Sequence, residues 1–278
     1  MIDMHNHILY GIDDGCKTIE ESIETIKNMK KIGFNSIVLT PHYIEDSSFK
    51  ANNNLKLQRL EILKEELLKN NIDVNLFLGN EIFINESINE LIINKEIRSI
   101  NNTRYILIEL PFNNQILNLD DYLYELKLKG YKIIIAHPER YTYFKDNYEE
   151  ARKLYDSGVL FQVNYGSIIG QYGKKAQMIV QKFLENNMIH MLGTDVHRQN
   201  TIYPKIPEII LELKSLIGEE KVKELTTINP ELVINNKRID IRKPYKVELT
   251  LKEKISMYTE DTLQKLKTMI RKSQSGRH

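Results

Sequence analysis

Two histidines, His5 and His7, lie two residues apart near the start of the chain, within the stretch MIDMHNH. The residues before them, Met1 to Met4, are mostly apolar and predict a short buried strand. Side chains at positions i and i+2 of a strand point to the same side, so both imidazoles would aim at one point. Neutral imidazole is a common metal ligand, and the pair therefore predicts part of a metal site. The alternative is a pair of surface histidines at a frayed terminus.

Further residues able to bind metal follow the other predicted strands, at the point where each strand ends. Six of the seven predicted strands end in this way, and the residues concerned are His5, His7, His42, Glu81, Glu109, His137, Asp195 and His197. Strand six ends instead in Asn164 and Tyr165, and His190 lies inside the run of strand seven, where we expect it to pack in the core. In a barrel of parallel strands the carboxyl ends share the face that carries the active site. The pattern predicts one ring of ligands on that face.

The number and type of these ligands predict more than one metal ion. Eight nitrogen and oxygen donors exceed the four that a tetrahedral ion takes, but they suit two or three ions that share carboxylates. Imidazoles and carboxylates without a thiolate favour manganese, iron or zinc. Two ions about 3.5–4 Å apart can hold a hydroxide and bind a substrate oxygen. The ring therefore predicts hydrolysis by a metal-bound hydroxide, with phosphate esters as the natural substrates.

Four further polar residues lie close to these ligands in the sequence. The loop GIDDG contains Asp13 and Asp14, either of which could be an extra ligand or a proton donor; an ordinary Asp-Gly turn is the alternative. Arg140 follows His137 by three residues and could bind two phosphate oxygens through its planar guanidinium. Arg198 follows the last histidine of the ring, and we assign it no role.

Short apolar and β-branched runs alternate with amphipathic stretches along the chain. The predicted strands are Met1–His5, Ser36–Thr40, Val74–Leu78, Tyr105–Leu110, Lys132–Ala136, Leu160–Val163 and Ile189–Leu192. The predicted helices are Thr18–Lys31, Asn53–Asn70, Glu86–Ile93, Leu119–Lys129, Tyr148–Ser157, Lys174–Asn187 and Pro207–Ile217. Thr18 and Glu21 have the spacing of a capping box at the start of the first helix. This alternation predicts an α/β fold with parallel strands, in a barrel related to the (β/α)₈ type rather than an open sheet.

The composition is that of an ordinary globular protein. The 278 residues are 41% hydrophobic and 28% charged, and the net charge is +1. No stretch approaches the roughly 18 consecutive apolar residues of a membrane helix. The N-terminus lacks the pattern of a signal peptide, so we expect a cytoplasmic protein without membrane insertion. The single Cys16 excludes an internal disulfide framework.

Charge divides the chain into an acidic body and a basic tail. Residues 1–236 contain 27 Lys and Arg against 33 Asp and Glu, whereas residues 237–278 contain 12 against 5. A basic tail can bind nucleic acid or lipid. Apolar residues at helical spacing predict instead a terminal helix with a solvated basic face; they are Leu251, Ile255, Tyr258, Leu266 and Met269. We therefore assign residues 1–240 to one domain and residues 241–278 to a helical C-terminal extension, and we expect no nucleic-acid partner.

Six motifs, in this order, resemble a known family: MIDMHNHILYGIDDG, LTPHY, GNEIF, ILIELPF, IIAHPERY and LGTDVH. They are similar to the PHP (polymerase and histidinol phosphatase) superfamily, and within it to the bacterial manganese-dependent tyrosine-protein phosphatases of capsule and exopolysaccharide clusters. The resemblance runs from Met1 to about Ile239. The chain departs from the family pattern in the length of its tail and in Thr194-Asp195, where the family often has Ser-Asp.

The resemblance implies a distorted (β/α)₇ barrel with a centre of three metal ions, expected to be Mn²⁺. The implied ligands are His5, His7, Asp14, His42, Glu81, Glu109, His137, Asp195 and His197. Arg140 matches the phosphate-contacting arginine of the family. The implied substrate is phosphotyrosine on the C-terminal tail of a bacterial tyrosine kinase that controls polysaccharide export.

Other functions fit part of the sequence. A different phosphoesterase on the same scaffold, such as a histidinol phosphatase or a nuclease-like relative, would have the same barrel and metals. A metal-binding regulatory module without turnover would lack ligands, and none is missing here. Thiol-based tyrosine phosphatases require Cys-x₅-Arg, but Ser22 occupies the arginine position after Cys16. The oligomeric state is left open.

Overall fold

The computed structural model describes residues 1–197 and 202–240, and in these residues nine strands form two wholly parallel sheets. The strands are β1 Ile2–Asp3, β2 Ser36–Leu39, β3 His42–Tyr43, β4 Asn75–Leu78, β5 Glu81–Phe83, β6 Tyr105–Glu109, β7 Lys132–Ala136, β8 Leu160–Asn164 and β9 Met191–Gly193. The first sheet has the order β1-β2-β4, and the second has the order β3-β5-β6-β7-β8-β9. The second sheet is a TIM-like parallel half-barrel, which confirms the α/β fold.

The chain passes from the first sheet to the second through two short breaks between strands. Only Thr40 and Pro41 separate β2 from β3, and only Gly79 and Asn80 separate β4 from β5. An isolated parallel bridge between Asn6 and Val196 joins the segment after β1 to the segment after β9. The predicted first strand, Met1–His5, is too long: it ends at Asp3 in the structure. Beyond Asp3 the backbone pairs irregularly, because the N–H of Asn6 donates to a side chain, the hydroxyl of Thr40, at 3.0 Å.

Helices connect the successive strands except across the two short breaks. They are α1 Ile19–Lys31, α2 Asn53–Lys69, α3 Ile88–Ile93, α4 Leu119–Leu128, α5 Thr142–Asp146, α6 Tyr148–Asp156, α7 Tyr165–Ile168, α8 Lys174–Glu185, α9 Ile206–Ile217, α10 Glu219–Lys223 and α11 Asn229–Ile234. All seven predicted helices are present, and the short α5, α7, α10 and α11 were not predicted. The Thr18 hydroxyl caps α1 by accepting from the N–H of Glu21 at 3.3 Å, while the Glu21 carboxylate accepts from the N–H of Lys17 at 2.6 Å.

Alternate residues of the strands belong to two apolar layers. On β7, Ile133 and Ile135 pack in the larger cluster with the helices, whereas Ile134 and Ala136 pack in a smaller inner cluster. Strands buried on both faces are typical of a parallel sheet covered by helices. The inner cluster includes residues of α11, and the Tyr105 hydroxyl at the start of β6 donates to the carbonyl of Lys237, just beyond α11. Residues 235–240 therefore lie at the amino ends of the strands, away from the carboxyl ends.

Within the described ranges, no helix is long and apolar enough to cross a membrane. The predicted terminal helix, in residues 241–278, lies outside the described residues.

Candidate metal centre

Four side chains from three separate parts of the chain meet at the carboxyl ends of the strands. The Nε2 atoms of His5 and His7 are 3.3 Å apart. Glu81, the first residue of β5, places Oε1 3.3 Å from His5 Nε2 and Oε2 3.4 Å from His7 Nε2. Asp195, two residues after β9, places Oδ1 3.4 Å from His7 Nε2. These donors surround one small volume, as the sequence pattern predicted.

Three more predicted ligands lie around Glu81. His42 Nδ1 is 2.9 Å from Glu81 Oε2, and His137 Nε2 is 3.0 Å from Glu81 Oε1. Glu109, the last residue of β6, has a carboxylate oxygen 3.8 Å from a ring nitrogen of each of these two histidines. Glu81 is therefore the central residue of the cluster, with imidazoles on both sides of its carboxylate.

Asp14 and His197 form the outer edge of the cluster. His197 stacks on His7 with ring centroids 3.9 Å apart. Asp14 Oδ1 lies 3.5 Å from His197 Nε2 and 3.8 Å from His42 Nε2, and about half of its side chain is exposed. Arg198, the residue without an assigned role, lies outside the described residues.

The donor atoms form three overlapping groups, and within each group they lie within 4.8 Å of one another. The groups are His7, Asp14, His42 and His197; His5, His7 and Glu81; and His42, Glu81 and Glu109. Shared members link all three groups. This arrangement could hold two or three metal ions, whereas one ion could not contact all of these residues.

The charges of the cluster favour a bound cation. Burial, together with the charges of Glu81 and Asp195, raises the pKa of Glu109 to about 9. Burial lowers the pKa of His5, but the facing carboxylates of Glu81 and Asp195 raise it above its usual value overall. Burial also favours the neutral form of Glu81, yet the neighbouring His5 and His42 hold its pKa well below the usual range. Buried carboxylates that face one another need positive charge nearby, and divalent ions supply it.

Buried atoms without hydrogen-bond partners point to the same conclusion. Among the described residues, Glu81 Oε2, His42 Nδ1 and His137 Nδ1 are buried and have no hydrogen-bond partner. The first two lie 2.9 Å apart without meeting the angles of a hydrogen bond. An unsatisfied buried polar atom is costly, and metal coordination satisfies such atoms. The residues present therefore fit a metal centre.

Asp13 and Gln162 orient the first two histidines. The Asp13 carboxylate is 2.8 Å from His7 Nδ1 and also accepts the backbone N–H of His42 at 2.9 Å. The Gln162 amide oxygen, on β8, is 2.7 Å from His5 Nδ1. A partner of this kind fixes the ring tautomer and turns the other nitrogen toward a metal. This orienting role was not among the three interpretations considered for Asp13, which were an extra ligand, a proton donor and an ordinary turn.

The loop that carries Asp13 folds back onto the chain at His7. The N–H of Cys16 donates to the carbonyl of His7 at 3.1 Å. A Cβ atom on Gly15 would lie 1.8 Å from the same carbonyl oxygen, so only glycine fits there. The thiol of Cys16 is buried, and burial raises its pKa. The thiolate needed for nucleophilic attack is therefore disfavoured.

A second network of hydrogen bonds fixes Asp195. Its Oδ2 atom accepts from Asn164 Nδ2 and from Arg140 NH1, each at 2.7 Å. The Asn164 amide oxygen in turn accepts from Gln162 Nε2 at 2.9 Å. The same glutamine therefore orients His5 and supports the partner of Asp195. The amides of β8 were not predicted as part of the site, because Gln and Asn are not strong metal ligands.

Asp3 connects the first and last strands beneath the site. Its carboxylate accepts the N–H and the hydroxyl of Thr194 at 2.8 and 2.7 Å, and it also accepts from Asn6 Nδ2 at 3.1 Å. Burial raises the pKa of Asp3 to about 6, against the effect of its hydrogen bonds. The hydroxyl of Thr194 is thus used as a donor, which explains why either Ser or Thr suits this position.

Two predicted ligands have backbone angles that are rare outside glycine. His137 has φ 34° and Asp195 has φ 51°, in the left-handed region. Such residues cost about 1–3 kcal/mol each and cluster at functional sites. At Asp195 the conformation is supported by its N–H, which donates to the carbonyl of His5 at 2.8 Å.

Arg140 lies at the rim of the centre. Besides its bond to Asp195, its guanidinium carbon is 4.6 Å from the ring centroid of Phe112 and 4.4 Å from that of Tyr172. The side chain is 24% exposed, so it reaches both the buried ligands and the solvent. The sequence predicted that Arg140 lies near the ligands. It did not predict the contacts with Phe112 and Tyr172, because nothing in the sequence distinguishes them from other loop residues.

The chain resembles proteins that are already known. Residues 1–235 match the family described as Capsular polysaccharide synthesis, CpsB/CapC. CapC from Staphylococcus aureus is 34% identical over 250 residues, which cover 88% of this chain and 95% of that protein. The tyrosine-protein phosphatase YwqE from Bacillus subtilis (strain 168) is 31% identical over 248 residues, which cover 89% of this chain and 97% of that protein.

A solved structure matches the fold as well. It comes from work on YwqE from Bacillus subtilis and CpsB from Streptococcus pneumoniae, which are described there as metal-dependent tyrosine phosphatases. The TM-score is 0.84 at 31% sequence identity, and the match covers 90% of this chain and 100% of that chain.

Proposed function

We propose that this chain, which belongs to the CpsB/CapC family of capsular polysaccharide synthesis proteins, is a metal-dependent phosphatase that hydrolyses phosphotyrosine on proteins. The observation that carries the proposal is the convergence of four imidazoles and three carboxylates in three overlapping groups of donor atoms, with His137 and the buried Asp195 beside them. YwqE, at 31% identity, is named a tyrosine-protein phosphatase, which points to the same substrate.

The proposed ligands are the nine residues implied by the family: His5, His7, Asp14, His42, Glu81, Glu109, His137, Asp195 and His197. We propose two or three Mn²⁺ ions, because the donors are all nitrogen and oxygen; iron and zinc accept similar ligands. When bound, such ions activate water for attack and neutralise charge on phosphate oxygens. Asp14 is the most exposed of the nine, so it has two proposed roles, as a ligand and as the donor of a proton to the leaving phenolate.

The other residues of the site would bind and orient the phosphate. Arg140 keeps donors available beyond the one that bonds to Asp195, and a guanidinium presents them in a plane that matches phosphate oxygens. Asp13 and Gln162 would hold His7 and His5 in the tautomers that leave Nε2 free for a metal. Positioning and charge stabilisation are the main needs of phosphoryl transfer, and these residues supply both.

We further propose that residues 1–240 form a distorted (β/α)₇ barrel and that residues 241–278 are a separate basic extension. The two short breaks, β2/β3 and β4/β5, would make single strands of the barrel when each pair is taken together. The bridge between Asn6 and Val196 supports a contact between the first and last strands. The proposed physiological substrate is the phosphotyrosine-containing tail of a bacterial tyrosine kinase that regulates polysaccharide export.

Substrate comparison tests the function directly. The full chain, reconstituted with Mn²⁺, would be assayed on a phosphotyrosine peptide, on the same peptide with phosphoserine, and on histidinol phosphate. We expect kcat/KM for the phosphotyrosine peptide to exceed the other two by at least about 100-fold, a ratio within reach of a site that binds the correct group. Glu81→Gln, which keeps the shape of the central ligand without its charge, is the control for contaminating phosphatases. A preference for histidinol phosphate would overturn the proposal.

A further inference from the structure

Two aromatic rings from different loops contact the guanidinium of Arg140. Phe112 lies three residues after β6, and Tyr172 lies between α7 and α8. Their ring centroids are 4.6 and 4.4 Å from the guanidinium carbon, within the range of a cation–π contact. Neither ring contributes a metal ligand.

Each ring of this aromatic pair is itself held in place. Phe112 stacks on His137 with centroids 5.5 Å apart and an angle of 15°, and its carbonyl accepts the N–H and the hydroxyl of Thr142 at 2.9 and 3.0 Å. Tyr172 lies in a turn in which the N–H of Gly173 donates to the carbonyl of Gly170 at 3.0 Å. The Phe112 ring, and the backbone that carries the Tyr172 ring, are therefore held by contacts that do not involve the arginine.

Contact through a ring face suits an arginine that must bind an anion. The N–H groups of a guanidinium lie in its plane, whereas a cation–π contact uses the face of the ring. The two rings can therefore restrict the side chain without occupying the donors that a phosphate requires. An unrestrained arginine loses rotamer entropy when it is fixed, and a side chain that is already fixed does not lose this again on binding.

We propose that Phe112 and Tyr172 are positioning residues that hold Arg140 ready to bind a phosphate group. The proposal rests on the proposed function for its substrate, but it concerns binding of the phosphate itself and can be tested without turnover. The rings act through Arg140 and do not touch the substrate. Their removal should therefore matter only while the arginine is present.

The test combines binding of inorganic phosphate with a double-mutant cycle. In Mn²⁺-loaded protein, Tyr172→Leu should raise the Kd of inorganic phosphate, measured by calorimetry, by about 3- to 30-fold, the usual range of a cation–π contact. Tyr172→Phe keeps the ring and should bind like the parent. In an Arg140→Ala background, Tyr172→Leu should have no further effect, because the two residues act as one unit. The same pattern is expected in kcat/KM for phosphotyrosine.

Matched variants separate this role from a loss of folding. Tyr124→Leu, at an exposed tyrosine on α4, is the control for removing a tyrosine ring elsewhere. Phe112→Leu is a second test of the same pair if Tyr172→Leu melts at a lower temperature than the parent.

The proposal is overturned if Tyr172→Leu weakens phosphate binding equally without Arg140, since the ring would then touch the ligand, or if both ring variants bind phosphate like the parent. If phosphate binding follows the expected pattern but phosphotyrosine is not hydrolysed, the proposed function fails and this inference stands.

Discussion

At the scale of single residues, His5 and His7 are held through the ring nitrogen that does not face the candidate centre. His7 Nδ1 lies 2.8 Å from Asp13 and His5 Nδ1 lies 2.7 Å from Gln162, which leaves each Nε2 atom toward Glu81. Ligand geometry therefore depends on residues that contact no metal. Replacing such partners typically costs 10- to 100-fold in metal affinity.

Asp13→Asn tests this dependence. Asparagine keeps the size of the side chain but removes the charge that orients His7, so we expect the Kd for Mn²⁺ to rise by about 10- to 100-fold. Calorimetric titration of the metal-free protein measures it. Asp46→Asn, at an exposed position in the loop after β3, is the matched control and should bind Mn²⁺ like the parent. An unchanged Kd in Asp13→Asn would mean that His7 is oriented without this carboxylate.

Arg140→Ala tests the phosphate-binding role. Because charge on the transferred phosphoryl group needs a fixed donor, we expect kcat/KM to fall by about 10²–10³, equivalent to about 2.7–4 kcal/mol. Arg140→Lys should recover only part of the loss, since an ammonium cannot form two parallel hydrogen bonds. The loss should be equal for free phosphotyrosine and for peptides. Metal content must be measured on the same samples, because Arg140 also bonds to Asp195. If Arg140→Ala is fully active, Arg198 is the next residue to test.

At the scale of elements, a ligand directly follows each of the breaks before β3 and β5. His42 and Glu81 begin these strands and are paired directly in the parallel register. Asn80 connects the two breaks, because its Nδ2 donates to the carbonyl of Pro41 at 2.9 Å. Lys56, buried on α2, donates to the Asn80 side-chain oxygen at 2.8 Å. The helix thus contributes to the position of both ligands without reaching the site.

Lys56→Met should change how stability depends on pH. Burial, together with the charge of Arg98, lowers the pKa of Lys56 to about 7. A lysine in the unfolded chain titrates near 10.4, so between these values the unfolded state binds more protons and stability rises with pH. From pH 7 to pH 9, Lys56 should add about 2 kcal/mol to the free energy of unfolding of the parent, at 1.36 kcal/mol per unit.

Urea denaturation at pH 7, 8 and 9 measures this effect. The rise should be absent from Lys56→Met and present in Lys64→Met, which removes an exposed lysine from the same helix. Equal pH dependence in the parent and in Lys56→Met would contradict the account of Lys56.

The ligands could be predicted from the sequence, but the residues that hold them in position could not, for a physical reason. The predicted ligands come directly after strands, and the end of a strand can be predicted from the end of its apolar run. The strand predicted at Lys132–Ala136 is confirmed with the same bounds. The residues that hold the ligands in position come from distant parts of the chain: His5 and Gln162 are 157 residues apart. Polar residues at alternate positions of an otherwise apolar strand, Gln162 and Asn164, were the signal available. The break in LTPHY was not predicted, because it interrupts pairing without changing the apolar pattern.

The short helices were also not predicted from the sequence. α7 has four residues and α5 has five, too few to show an apolar face with helical period. The family resemblance, in contrast, was confirmed over residues 1–235, because it depends on whole motifs rather than on periodicity.

At the scale of the whole molecule, charge and homology divide the chain at nearly the same place. The family match ends at residue 235, and the excess of basic residues begins at Lys237. The candidate centre lies at the carboxyl ends of the strands, whereas the chain after α11 contacts the start of β6, through Tyr105. The described part of the chain therefore contains all nine proposed ligands and Arg140.

Removing residues 245–278 should leave turnover of small substrates nearly unchanged. The reason is that all nine proposed ligands and Arg140 lie within residues 1–197. Steady-state kinetics with free phosphotyrosine, alongside the melting temperature of each protein, measures the effect. Loss of turnover in a truncated protein that melts like the parent would place the tail in the active site.

Metal dependence is the most direct test of the central claim, that the cluster around Glu81 is a catalytic metal centre. The full chain would be treated with chelator, shown by elemental analysis to be free of metal, and assayed on a phosphotyrosine peptide before and after titration with Mn²⁺. We predict no activity without metal, because the proposed nucleophile is a water that only the bound ions would activate, and we predict recovery as two or three Mn²⁺ ions bind to each chain. Full activity in the verified metal-free protein would contradict the account.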